Sequence, residues 1–432
     1  MEFIQADQLS TKIGEYVNVR GWLHHVRRQG KLTFVVIRDH SGFVQAVIKP
    51  SSGEKAQAVA SRLTRETAVT VQASVKEDVR APYNGIELQI SEINPVIQYA
   101  SSDLENEIRP DSGPQVMLDK RHLVLRGERS ANIMRLRDLV TRQIRTFFFS
   151  RDFIEVTPST IVQTQVEGGS TLFAFNYFDQ EAYLTQSSQL YLETVLPSLG
   201  NVFCVLPSFR AEKSRTRRHL TEYTHIEGEM PWFDFEDLLD FMEDLIIHVY
   251  ETMQDNPILA QFNTIEVPSK PFEQVSYERA IDLLREYDIK GEEGEFLEHG
   301  DDITEAPERA LVDSIGKPTY LTHFPTGMKP FYMKVNEKNP DVMNAADLLL
   351  PGVGEIIGAS QREDEYSILL RRMKEEGLDP ALYYWYLDQR KYGTVPHSGF
   401  GLGLERLVQT ILNLDHIREA CLYPRLINRA TP

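Results

Sequence analysis

Two apolar runs, Val202-Phe203-Cys204-Val205-Leu206 and Ile226-Glu227-Gly228-Glu229-Met230, flank a dense polar block and restrict what this chain can build there. Read as strands, they make the block the end of one strand, a loop, and the start of the next. The block is Phe209-Arg210-Ala211-Glu212-Lys213-Ser214-Arg215-Thr216-Arg217-Arg218-His219-Leu220-Thr221-Glu222-Tyr223. A loop this rich in arginine suits a polyphosphate, because guanidinium offers a planar fork of donors that a lysine point charge cannot reproduce.

A second pattern stands near the C-terminus, in His397-Ser398-Gly399-Phe400-Gly401-Leu402-Gly403-Leu404-Glu405-Arg406. Gly399, Gly401 and Gly403 alternate with period two, so in a strand they share one face and leave it bare, and a flat ring could lie there. From Leu404 the apolar period turns helical through Leu407, Val408, Ile411 and Leu412. Arg406 then falls in the first turn, placed to meet a phosphate or stack on a base. The spacing is not that of a dinucleotide fingerprint, and no Gly-Lys-Ser/Thr phosphate loop occurs, so ATP here would be held by arginines and metal. Asp347 and Glu355, across the Pro351-Gly352 turn, are hard oxygen donors suited to Mg2+ on a triphosphate. Arg362 is placed to clamp a small polar substrate.

The chain has 432 residues with 41% apolar content, enough for two or three domains. Its start lacks a basic-then-apolar pattern and it contains no run of eighteen apolar residues, so a soluble, non-secreted, cytoplasmic protein is expected. Cys204 and Cys421 are too few for a disulfide framework or a thiolate zinc site. The formal charge of -18 is uneven: residues 1–95 carry 12 Lys+Arg against 10 Asp+Glu, leaving -20 for the rest. Overall acidity therefore restricts where RNA could sit without excluding it.

Within residues 16–94, five short alternating runs (from Tyr16, Leu32, Phe43, Ala68 and Ile86) surround a helical stretch, Glu54 to Leu63. This predicts a small barrel of the oligonucleotide-binding type. His24, His25, Arg27, Arg28 and Lys31, assigned to its second strand, precede Phe34. Cations beside an exposed ring can grip single-stranded RNA, while the alternative makes Phe34 a core residue. Residues 98–130, with Pro110 and Pro114, read as a linker or hinge. Ile133, Leu136, Val140, Ile144, Phe147 and Phe148 then recur at helical spacing, before a strand stopped by Pro158; such a helix needs a partner surface. The acidic stretch of about 265–320 is expected to be an insertion without chemistry.

An arginine-bearing strand-loop-strand, a glycine strand ending in Glu-Arg, and a helix-strand ending in proline together resemble the class II aminoacyl-tRNA synthetases. Motif 1 corresponds to residues 133–158, motif 2 to 203–230 and motif 3 to 399–412, and the barrel points to the aspartate, asparagine and lysine subgroup. The resemblance implies an α+β chain: an OB-type β-barrel for anticodon binding (1–97), a hinge (98–130), and a catalytic domain (131–432) whose mainly antiparallel β-sheet is flanked by helices. Ser214 to Glu227 is worded most like the asparaginyl branch. In the segment Gln186 to Leu192, Leu192 stands where aspartyl relatives carry lysine, and Glu227 stands where they carry aspartate. Removing a cation and lengthening an acid disfavours a substrate carboxylate, while Glu227 can accept from an amide NH2.

The implied reaction is activation of asparagine with ATP and Mg2+ to asparaginyl adenylate, then transfer to the 3′ end of tRNA(Asn) by a homodimer joined through motif 1. Carried over by position, Arg210 binds the α-phosphate, Glu212 the adenine amino group, Tyr223 the ring, and Arg218 with His219 the outer phosphates. Leu220, Gly403, Leu404, Glu405 and Arg406 complete the ATP site, and Asp347 with Glu355 holds metal. Glu167, Gln189, Leu192, Glu227 and Arg362 hold the amino acid, with Glu167-Gly168-Gly169-Ser170 closing over it, and Arg27, Phe34 and Gln45 grip the anticodon. Three rival readings are an aspartyl enzyme of relaxed tRNA choice, a tRNA-independent asparagine synthetase, and a non-catalytic RNA-binding homologue.

Overall fold

The computed structural model of the chain describes residues 2–83, 85–109, 111–168, 171–213 and 216–432. Pro110 of the expected hinge, Gly169 and Ser170 of the expected closing loop, and Ser214 and Arg215 of the arginine loop lie outside them. The chain forms two compact units, residues 1–120 and 121–432.

In the first unit, β1 (Tyr16–Gln29), β2 (Leu32–Arg38), β3 (Phe43–Ile48), β4 (Ala68–Glu77) and β5 (Ile86–Pro95) close into a barrel of order β1-β2-β3-β5-β4. The helix α1 (Glu54–Ala60) joins β3 to β4. Alternation decides what is inside: Val35, Ile37, Val44 and Ala46 fill the core with Val71 and Leu88. The first strand runs beyond its apolar start because a bulge between Leu23 and His25 re-aims it while pairing with β2 continues to Gln29. His24, His25, Arg27 and Arg28 therefore sit on the first strand rather than the second, and Lys31 lies in the turn. Phe34 is half-buried and stays outside the barrel core, since its neighbours Thr33 and Val35 point inward. Beyond the barrel follow α2 (Leu104–Glu107) and α3 (Pro114–Asp119).

The second unit opens with α4 (Arg121–Val124) and the long α5 (Glu128–Phe149). Then come β6 (Ile154–Glu155), β7 (Ile161–Val162), β8 (Phe173–Tyr177), β9 (Gln180–Leu184), α6 (Gln189–Leu199), β10 (Val202–Phe209), β11 (Glu222–Pro231) and α7 (Phe235–Met253). The acidic stretch supplies β12 (Glu273–Ser276), α8 (Tyr277–Glu286), α9 (Glu305–Ile315) and β13 (Thr319–Thr322). Last come β14 (Ala345–Leu350), β15 (Gly354–Gln361), α10 (Tyr366–Glu375), α11 (Tyr384–Lys391), β16 (His397–Gly403) and α12 (Leu404–Ile411).

Among the described residues, eight strands form one sheet of order β12-β13-β14-β15-β16-β11-β10-β6, and β7-β9-β8 make a small second one. The large sheet is antiparallel except at its margins, where β6 runs parallel to β10 and β12 parallel to β13. The hairpin of β10 and β11, next to the edge strand β6, is the one that the two apolar runs predict, and the glycine strand β16 lies against β11. The apolar face of α5 finds its partner within the same chain: Phe148 stacks on Phe203 at 4.3 Å and Phe147 meets Phe241 of α7 at 5.2 Å. No second subunit is needed to cover those residues.

Candidate active site

Alternation along β11 aims His225, Glu227 and Glu229 at one face, and the antiparallel register sets them opposite Gly403, Gly401 and Gly399 of β16. The bare glycine face is partly used by these neighbours. A Cβ on Gly399 would collide with the Glu229 carboxylate and one on Gly401 with the His225 ring, whereas for one on Gly403 the nearest described neighbour is the Arg406 side chain, at 3.8 Å. Only Gly401 and Gly403, not Gly399, border the cleft above. The expected floor is thus shorter than the three glycines imply, because β11 fills one end of it with buried polar side chains.

Arg210, at the end of β10, and Arg406, in the first turn of α12, line the same cleft of about 320 Å³. Glu167, Gln189, Arg218, His219, Leu220 and Tyr223 border it too, as do Glu227, Asp347, Glu355, Arg362, Gly403 and Glu405. Three expected residues do not. Leu192 is fully buried in a small apolar cluster with Leu196, Val202 and Cys204, and Leu404 belongs to the main core. Glu212 borders a neighbouring pocket with His219 and Leu220, its Oε1 3.9 Å from Arg210 Nη1.

The cleft is a lattice of opposite charges. Arg210 pairs with Glu167, and its guanidinium lies 5.6 Å from the Tyr223 ring. Burial opposes its charge, but Glu167 prevails and fixes the proton more firmly than usual. Arg406 Nη1 donates to Glu355 Oε2 at 2.9 Å and to the Glu355 carbonyl at 3.0 Å. Burial would raise the Glu355 carboxyl, yet Arg406, Arg218 and Arg210 overcome it and hold it down at about 2. Arg218 Nη1 donates to Glu308 Oε1 at 2.6 Å, and burial pushes Glu308 up to about 7 against that pull. Burial, with Arg406, Arg218 and Arg210, depresses His219 to about 4, so its imidazole is neutral at pH 7.

At the other end, Glu227 accepts from the Ser188 backbone at 2.9 Å and from the Ser187 hydroxyl. Arg362 forks onto Glu229, with Nε at 3.1 Å, and its Nη1 donates to Ser360 at 2.8 Å. Beneath them Glu193, fully buried, receives Gln189 Nε2 at 3.0 Å, Tyr386 at 2.9 Å and Arg390 at 2.5 Å. Gln189 is thereby fixed through its amide nitrogen.

Several of these partners escaped the sequence reading. His225 and Glu229 were signalled by period-two polarity in the strand after the arginine loop. Glu308, from the acidic stretch expected to carry no chemistry, tethers Arg218 and also accepts the Glu355 backbone N–H at 2.6 Å. Lys329 borders the cleft with its Nζ 2.7 Å from Asp347 Oδ2. Among the described residues, no three or more His, Cys, Asp or Glu side chains converge as a metal-binding group. Asp347 and Glu355 are a two-carboxylate set that converges over Gly358, where a Cβ would stand 3.3 Å from Glu355 Oε1 and 3.7 Å from Asp347 Oδ1. Hard oxygens from two side chains fit Mg2+ if phosphate oxygens supply further ligands. On the barrel, the Arg27 guanidinium lies 5.3 Å from the Phe34 ring, and Gln45 Nε2 donates to Glu87 at 3.0 Å.

An antiparallel sheet carrying two arginines over a glycine strand, in a chain with a five-stranded barrel, defines a nucleotide-handling enzyme of the class II synthetase kind. The family model described as tRNA synthetases class II (D, K and N) matches residues 113–427, and the chain belongs to that family. The OB-fold nucleic acid binding domain matches residues 17–96. The chain is 46% identical to asparagine--tRNA ligase, cytoplasmic, of Mus musculus over 97% of its own length and 76% of that protein. To the protein so named from Saccharomyces cerevisiae it is 45% identical, over 98% of its length and 77% of that protein. The crystal structure of asparaginyl-tRNA synthetase from Pyrococcus horikoshii complexed with asparaginyl-adenylate superposes with a TM-score of 0.94 at 40% identity, covering 100% of both chains.

Proposed function

We propose that this chain is an asparagine--tRNA ligase, which activates asparagine with ATP and transfers it to the 3′ end of tRNA(Asn). The observation that carries the reading is the meeting of Arg210 and Arg406, more than 190 residues apart in sequence, in one cleft over Gly401 and Gly403. An oxygen of the asparagine carboxylate attacks the α-phosphorus of ATP, the bond to the bridging oxygen breaks, and pyrophosphate leaves. The 3′ hydroxyl of the terminal ribose then attacks the acyl carbon and releases AMP. No side chain need act as nucleophile; Arg210 steadies charge developing at the α-phosphate and Arg406 the nucleotide from the opposite side. Asp347 and Glu355 would hold Mg2+, which supplies charge neutralisation of the phosphates. Tyr223 would stack on adenine, and Arg218 and His219 would face the outer phosphates.

The amino-acid end favours an amide over a carboxylate. The forked contact with Glu229 occupies Arg362, Leu192 brings no cation, and Glu227 presents a carboxylate held by Ser187 and Ser188. An amide NH2 can donate to Glu227, and a side-chain carboxylate would be repelled. Glu167 and Gln189 would take the α-ammonium group. In the barrel, read as the anticodon-binding domain of residues 1–97 with 98–130 as hinge, Phe34 would stack on an anticodon base, flanked by Arg27 and Gln45. Phe149 at the end of α5 and Ile154 in the edge strand β6, 53% and 43% exposed, would serve a homodimer contact. No helix among the described residues is long and apolar enough to cross a membrane. A cytoplasmic setting accords with the names of the relatives.

Exchange of labelled pyrophosphate into ATP, with each amino acid in turn, tests the reading. Asparagine should stimulate it and aspartate should not; the reverse result would assign the aspartyl reaction instead. Charging of tRNA transcripts with asparagine then separates the ligase from a synthetase of free asparagine.

A further inference from the structure

We infer that Lys329 closes the carboxylate pair of Asp347 and Glu355 to a bare divalent cation, so that metal enters only together with the nucleotide. This rests on the metal reading proposed above. The four carboxylate oxygens are divided between two tasks. Asp347 Oδ1 and Glu355 Oε1 converge over Gly358, while Asp347 Oδ2 is held by Lys329 at 2.7 Å and Glu355 Oε2 by Arg406 at 2.9 Å. The inward oxygens are thus oriented for a cation, but two negative charges are already met by two positive ones.

The lysine is placed for this by its surroundings. Arg372 Nη2 donates to the carbonyls of Lys329 at 3.1 Å and Pro330 at 2.9 Å, which pins the backbone on either side of the peptide link. The ammonium also rests 3.6 Å from the centre of the Phe324 ring, and the side chain is only 17% exposed, as is that of Asp347. A pair so shielded from water feels its electrostatics strongly. A hydrated Mg2+ arriving alone would give up water for two oxygens whose charge is cancelled, with a lysine ammonium beside it. Mg2+ sheds water reluctantly and is usually bound by one or two carboxylates plus substrate phosphates. A triphosphate changes the balance, because its oxygens complete the coordination and its negative charge faces both Lys329 and Arg406. Lys329 is thus a positioning residue that sets the order of events, metal with nucleotide rather than metal first.

Mn2+ is a suitable probe, read by the enhancement of water-proton relaxation when the ion is protein-bound. The full-length chain alone should give no enhancement at Mn2+ concentrations where it does so with an ATP analogue bearing a methylene bridge between the α- and β-phosphates. Lys329→Met, without nucleotide, should bind Mn2+ at least about tenfold more tightly than wild type, because one opposing charge is gone. Lys329→Arg should stay closed, and adding Asp347→Asn to Lys329→Met should abolish the uptake. Should Lys329→Met lose the wild-type circular-dichroism spectrum, Lys329→Gln carries the same expectation. Equal Mn2+ affinity of wild type and Lys329→Met without nucleotide overturns the inference while leaving the metal reading standing. Equal enhancement by wild type and Asp347→Asn in the presence of the analogue overturns the metal reading and the inference with it.

Discussion

Arg137, on α5, donates from one nitrogen to both Glu405 Oε1 at 2.8 Å and Thr224 Oγ1 at 2.7 Å, and Glu405 Oε2 accepts the Thr224 backbone N–H at 2.9 Å. One guanidinium therefore ties the long helix to the strand after the arginine loop and to the helix that carries Arg406. Glu405 is 3% exposed, so removing its partner would leave a carboxylate buried and uncompensated. Arg137→Met is expected to cost about 3 kcal/mol in urea unfolding and to lower asparagine-dependent exchange. Pairing it with Glu405→Gln should recover part of the stability; no recovery would show that the two side chains act separately.

Arg406→Ala should reduce pyrophosphate exchange by at least about 100-fold, the scale of losing one charge-stabilising donor at a reacting phosphate. The fold should survive, since among the described residues the Arg406 side chain hydrogen-bonds only Glu355 and borders the open cleft. Unchanged exchange, with a wild-type melting curve, would remove Arg406 from the reaction.

What the sequence declared and what it hid divide along physical lines. Strand alternation, the glycine period and the helical spacing from Ile133 are local patterns, and each produced its element close to where it was expected. Partnership across the sheet is not local. Glu229 and His225 occupy space that Gly399 and Gly401 vacate, which only the register of β11 against β16 reveals. Glu308 lies in a segment whose weak patterning hid a buried carboxylate, because one polar residue on an amphipathic helix looks like any other until its partner is known. Leu192 is a site candidate only through what relatives carry there, and the fold buries it in an apolar cluster away from the cleft.

The two inner glycines separate packing from binding. Gly401→Ala would drive a methyl group into the His225 ring and should destabilise the fold by about 1–3 kcal/mol. Gly403→Ala meets nothing nearer than 3.8 Å, so its thermal midpoint should stay within a few degrees of wild type while KM for ATP rises. Equal effects of the two on stability would contradict a floor left open for the nucleotide.

Phe34→Ala tests the barrel. Base stacking on an aromatic ring is worth about 1–3 kcal/mol, so kcat/KM for tRNA charging should fall roughly 10- to 100-fold. Exchange without tRNA should be unaffected, and so should stability beyond a few tenths of a kcal/mol, because the ring is outside the barrel core. A parallel loss in both assays would place the defect in folding.

His219 gives the site a pH signature. Its imidazole, depressed to about 4 by burial and by Arg406, Arg218 and Arg210, has an ordinary value of 6.5. Between those limits the unfolded chain binds a proton that the native protein refuses, so stability rises with pH through this window and is fully present above 6.5. Acidification from pH 7 to pH 5 therefore favours unfolding, and His219→Gln, which cannot take up the proton in either state, lacks this contribution. Urea unfolding at both pH values should show wild type losing on the order of 1 kcal/mol more than the variant. An identical loss in the two proteins would mean that His219 titrates normally in the fold, and that burial and the nearby arginine charges do not keep its imidazole neutral.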